Sequence, residues 1–278
     1  MCPRHNVSTF EKRLSALHRM GWIACAAVLA CVSEAQDSPG PKAEQPPAAP
    51  APPTQAASEK PESELSSFIQ DALARATTLA HAGDHVAAGA VVDEVAKRLG
   101  PKDAFVDELR GTVLTLKKDY GAAEASFQAM LAKAPESHVA RFNLAEMMFL
   151  QARYDEGERA FAALESARRE ADPALADLCR FKRVVSFLAG ARVEDAEALL
   201  PRSEKAPSSP AVQYSRAAIR FFKKLPARAA ETINHARTEF GRDVENLFVD
   251  SFIELNWGSR NSEGKFSFAT SKPAPVSN

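Results

Sequence analysis

His81, Asp84 and His85 are the closest this chain comes to a metal-ligand cluster: two imidazoles four residues apart, with a carboxylate beside the second. On an unbroken helix that spacing would put both rings on one face. Gly83 interrupts any such helix, so the trio reads as a solvated turn. Four cysteines are present, Cys2, Cys25, Cys31 and Cys179, and none is paired with a histidine at zinc spacing. There is no phosphate-cradling glycine loop, dinucleotide motif, zincin helix or nucleophile elbow. The expectation is a chain with no catalytic residue, no metal and no cofactor. Basic clusters at Arg180, Lys182 and Arg183, and at Arg220, Lys223 and Lys224, read as solvated helix faces. The formal net charge is −1, and about −3 once residues 1–35 are set aside. That leaves no basic excess to neutralise a phosphate backbone, which argues against nucleic acid as a partner.

The first 35 residues have the layout of a signal peptide. Lys12, Arg13 and Arg19 precede an apolar run from Trp22 to Val32, and Ser33-Glu34-Ala35 offers small residues for cleavage after Ala35. The run is too short for a transmembrane span, which needs roughly 20 residues. An exported protein, periplasmic or secreted, is expected. Val28-Leu29-Ala30-Cys31 also resembles a bacterial lipobox, in which the cysteine is acylated; Cys31 would then be a lipid anchor. Residues 36–63 hold eight of the 18 prolines among Ala, Gln, Glu and Ser, the composition of an extended, disordered linker.

From residue 64 the elements must be helices. The apolar content of 45% is heavily alanine, glycine is sparse, and no long stretch alternates with a strand period. Small residues recur at one point of a helix-turn-helix pattern: Ala88, Ala123, Gly157, Ala196 and Ala230, at intervals of 35, 34, 39 and 34. Such a period marks a stacked repeat. Helix A of the first unit is expected from about Glu64, and Gly100-Pro101, Pro135 and Asp172-Pro173 close successive units. Arg180 and Arg183 fall where apolar residues belong in the fourth unit, Pro201 cuts its second helix short, and Ser203 to Pro210 reads as a longer loop. A further helix, about Asp243 to Leu255, has no partner in sequence and is expected to cap the last repeat. The solenoid is expected over 64–257, and a disordered tail over 258–278.

The central units resemble the tetratricopeptide repeat. Gly111 and Ala145 take the small helix-A site, Tyr120 and Tyr154 the turn aromatic, Ala123 and Gly157 the close-approach site, and Phe127 and Phe161 the large apolar site. Ala88, Ala196 and Ala230 match the close-approach site of the flanking units. The resemblance implies an all-α, right-handed solenoid of about five units plus a capping helix, acting as a protein-binding scaffold. In that family ligands commonly lie on the concave face formed by helices A. That face would here carry Phe142, Asn143, Glu146, Phe149 and Leu150, then Lys182 and Arg216. A protein or peptide partner is expected. The family's carboxylate clamp is not, because Glu108, Thr112 and Leu178 stand where Lys, Asn and Lys are required.

Overall fold

The computed structural model describes residues 59–202 and 209–269. The signal (1–35), residues 36–58 of the linker, residues 203–208 and residues 270–278 lie outside the described residues. Among the described residues eleven α-helices form five antiparallel pairs and one extra helix. The pairs are α1 (Glu59–His81) with α2 (His85–Leu99), α3 (Ala104–Leu116) with α4 (Tyr120–Lys133), and α5 (His138–Leu150) with α6 (Tyr154–Arg168). They continue with α7 (Pro173–Ala189) and α8 (Val193–Ala198), then α9 (Pro210–Phe222) and α10 (Pro226–Phe240), before α11 (Arg242–Glu254). Each helix packs on its neighbours in sequence, giving a tandem helical solenoid. The first helix begins at Glu59, so the linker ends before residue 63.

One turn is used five times. Gly83, Lys118, Ala152, Ala191 and Lys224 have φ between 59° and 81°, and each ends the first helix of its pair. The N–H of Lys118 donates to Thr115 O and that of Asp119 to Leu114 O; Ala152 and Arg153 donate likewise to Phe149 O and Met148 O. This doubly bonded left-handed stop reverses the chain and sets the angle of the next helix. Asp84 and Asp119 then cap α2 and α4, accepting from the N–H groups of Ala87 and Ala122.

Five residues beyond each turn comes the small residue of the second helix, and twelve before that one stands its partner on the first. The pairs are Ala76/Ala88, Gly111/Ala123, Ala145/Gly157, Val184/Ala196 and Ala217/Ala229, all buried. A Cβ on Gly111 would sit 2.6 Å from the Phe127 ring, and one on Gly157 would meet Ala145 O at 3.3 Å. Backbone approach of that closeness is what these sites require. Phe127 and Phe161 are fully buried beside them; Tyr120 and Tyr154 are half-buried in the turns. The fifth unit corrects the register read from sequence. Ala230 is exposed, and Ala229 makes the close approach. Shifted by one, the unit has Ile233 and Ala236 as its next buried apolar residues instead of the misplaced Asn234.

The basic cluster on α7 is not a solvated face. Glu165 of α6, almost fully buried, receives Arg180 Nε at 3.1 Å and Arg183 Nη1 at 2.8 Å, and Glu158 receives Arg183 Nε at 2.7 Å. A polar seam between α6 and α7 thus replaces the apolar residues the repeat pattern asks for.

The segment after residue 257 is also corrected. β1 (Gly258–Arg260) and β2 (Phe266–Phe268) form an antiparallel hairpin with Gly258 opposite Phe268. Trp257 and Phe266 are buried, and the Phe268 ring stacks on Phe221 with centroids 4.5 Å apart. Gly258 has no room for a side chain, because the Phe266 ring lies on it.

Candidate functional site

The first helices of the pairs, α1, α3, α5, α7 and α9, make one side of the solenoid, and the sequence places the partner-binding residues there. On α5 the apolar periodicity sends Phe142 and Phe149 toward α6. Phe142 meets Phe161 edge-on at 5.5 Å, and Phe149 meets Tyr154 at 5.7 Å. Phe142, Asn143, Phe149 and Lys182 are each at most 6% exposed. The expectation of an open face built on these four is therefore corrected: they belong to the interior. Glu146, Leu150 and Arg216 are half-buried.

The reason is α11. It does pack on α9 and α10, but it also runs across the row of first helices. Phe248 packs edge-on against Phe181 of α7 at 4.9 Å and stacks on Tyr214 of α9 at 4.9 Å. Phe252 reaches Phe181 at 5.7 Å, and Ser251 Oγ accepts from Lys182 Nζ at 2.8 Å. The hydrophobic side of α11, Val244, Phe248, Phe252 and Leu255, is thereby buried on the face where a partner was expected.

A cavity of about 70 Å³ is left where α11 meets α3, α5 and α7. Its walls mix apolar and polar groups. Leu150, Leu178 and Leu247 stand among the first kind; Asn143, Glu146, Lys182, Asp250, Ser251 and Glu254 are of the second. Lys182 Nζ bridges Glu146 Oε2 at 2.7 Å and Ser251, and lies 5.3 Å from the centre of the Phe149 ring. Asp250 Oδ1 accepts from Arg260 Nη2 of β1 at 2.6 Å. Removal from water pushes the Asp250 carboxyl up to about 6, against the pull of Arg260 and Lys182. The Glu254 carboxyl is likewise raised, first by the crowding of protein around it and further by Glu146 and Asp250, with Lys182 opposing. Glu146 Oε1 is buried and has no hydrogen-bond partner.

Thus Phe142, Asn143, Glu146, Leu150 and Lys182 line this cavity, whereas Phe149 backs Lys182 from the core and Arg216, on α9, does not line it. Leu247, Asp250, Ser251 and Glu254 were not foreseen. They form an i, i+3, i+4, i+7 stripe on α11, the one legible sign of a second working face on that helix. Among the described residues no group of three metal-competent side chains converges, and no helix is long and apolar enough to cross a membrane. Cys179 is buried, and its thiol is pushed well above its ordinary range by loss of water.

The fold and this face define a tetratricopeptide-like helical solenoid, a class whose repeats generally mediate protein–protein contact without catalysis. A tetratricopeptide repeat family model matches residues 114–180, from the end of α3 into α7. No curated protein and no solved structure matches the chain.

Proposed function

We propose that this protein is an exported, non-catalytic scaffold that holds a segment of another protein on the helix-A side of its solenoid, at the edge where α11 leaves α3 and α5 uncovered. The observation that carries this reading is the cavity lined by α3, α5, α7 and α11, whose polar groups are not all satisfied from within the chain. The aromatic filling of α7 and α9 by α11 favours a binding region on the α3 and α5 part of that side. Half-buried Leu150 stands at its rim. The test is affinity capture from an envelope extract with mass spectrometry, wild type against Leu150→Lys. Loss of the same captured protein with an unchanged melting temperature supports the site; undiminished capture places the interaction elsewhere.

Export rests on the charged, apolar and small-residue segments between Lys12 and Ala35. A mature chain whose intact mass begins at Gln36 is the outcome expected. A diacylated Cys31 at the new N-terminus would instead make the protein a lipid-anchored component of an envelope assembly.

A further inference from the structure

The charges around the cavity do not balance. Three carboxylates, Glu146, Asp250 and Glu254, face two cations. Lys182 is engaged by Glu146 and Ser251, and Arg260 by Asp250. Glu254 lines the cavity and forms no ion pair among the described residues, with Lys182 acting on it only at longer range. A second observation points the same way. Asn143, 5% exposed, lines the cavity and makes no side-chain hydrogen bond to any described residue. That amide is therefore available to whatever occupies the space beside it. Glu146 Oε1 is a buried acceptor without a hydrogen-bond partner, which is costly unless the adjoining space is filled.

We propose that this cavity takes a lysine side chain of the protein partner, its methylene stem against Leu150, Leu178 and Leu247 and its ammonium shared by Glu254 and Asn143. This rests on the scaffold reading above. An ammonium fits better than a guanidinium because its three donors can turn toward separate acceptors, whereas the planar fork of arginine wants a carboxylate lying in its own plane. The long apolar stem with a polar tip is also what a cavity of leucines closed by carboxylates complements. A divalent ion is disfavoured by the absence, among the described residues, of three converging ligands.

The experiment uses n-butylammonium chloride as the probe, titrated into the full chain labelled with ¹⁵N, with n-butanol, n-butylguanidinium and sodium chloride at matched ionic strength as controls. Saturable shifts of the Asn143 side-chain amide with the amine, and weaker ones with each control, are expected. Glu254→Gln should reduce the affinity at least fivefold, while Glu254→Asp keeps more of it. Affinity should rise from pH 6 to pH 8, as the raised Glu254 carboxyl ionises while the amine stays charged. The other titrating or charged groups facing Glu254 are Tyr120 from α4, Glu146 from α5, Lys182 from α7 and Asp250 on its own helix. Equal shifts with butanol or salt, stronger binding of the guanidinium, or indifference to Glu254→Gln would each overturn the proposal. Partner capture separates it from the reading beneath it. Capture lost in Leu150→Lys but kept in Glu254→Gln removes the lysine and leaves the scaffold; amine binding with no captured partner removes the scaffold, and the lysine assignment with it.

Discussion

Glu108 shows what a single side chain can reveal here. It is 4% exposed on α3, its Oε1 has no partner, and burial pushes its carboxyl up to about 7 from an ordinary 4.5. A carboxyl raised on folding holds its proton more tightly in the folded state, so stability falls as pH rises through the window from about 4.5 to about 7. Glu108→Gln should therefore stabilise the protein on the order of 2 kcal/mol at pH 8 and hardly at all at pH 4. Melting curves at the two pH values check it; an equal gain at both would refute the linkage. Phe149 makes the opposite point. It is 1% exposed, so Phe149→Ser should cost about 3–5 kcal/mol in denaturant unfolding. A small cost there would mean that the residue is open after all. Both residues face the helix-A side in sequence, and their spacing says nothing about whether another element covers them.

At the scale of elements, the recurring stop is the feature that organises the chain. Four of its five left-handed residues are Lys118, Ala152, Ala191 and Lys224, not glycine. A side chain in that conformation costs roughly 1–2 kcal/mol relative to a helical one. Replacing Ala152 or Ala191 by Gly should stabilise the solenoid by about 1 kcal/mol each, after the greater unfolded-state freedom of glycine is subtracted. Chemical denaturation of the two variants measures it, and destabilisation would show that those turns are not held as described. The fifth register is ambiguous in sequence because Ala229 and Ala230 are adjacent and identical, and only the turn geometry tells which faces α9. The polar seam of Glu158, Glu165, Arg180 and Arg183 blurred the fourth unit in the same way, since paired charges can occupy an interface that a hydrophobic pattern marks as empty.

Across the whole molecule the buried apolar residues fall into two clusters, one of α1 to α3 and one running from α4 to the hairpin. The boundary between them runs through the closely packed α3–α4 pair, where the Phe127 ring lies on Gly111 and Lys133 pairs with Asp107 at 2.5 Å, while Thr115 Oγ1 lies 3.5 Å from Met147 Sδ of α5. Repeat arrays couple mainly through nearest neighbours, so the two clusters should respond differently to damage. Ending the chain after Gly241 removes Phe248, Phe252, Trp257 and Phe266 from the second cluster. At about 3–5 kcal/mol per lost aromatic, the deficit of roughly 12–20 kcal/mol is as large as the 5–15 kcal/mol that typically holds a domain together. Hydrogen exchange of the truncated chain should show α7 to α10 unprotected and α1 to α3 nearly unchanged. Retained protection in α7 and α9 would mean that α11 is an accessory to the fold.

Local chemistry decided much of this by itself. Alanine-rich amphipathic segments must form helices, proline and aspartate end or cap them, and a small residue every 34 to 39 positions can be satisfied only by stacking pairs. Gly111, Ala123, Ala145 and Gly157 were legible because a close backbone approach leaves no choice of side chain. The partner-binding face was not. An amphipathic helix such as α11 announces that one side will be buried, but not against which surface, because hydrophobic burial is non-directional. Tertiary structure alone decided that α11 lies over α7 and α9, covering Lys182, and that Trp257, Phe266 and Phe268 draw a polar tail into a hairpin. These are contacts between residues tens of positions apart, where no periodicity connects the two sides.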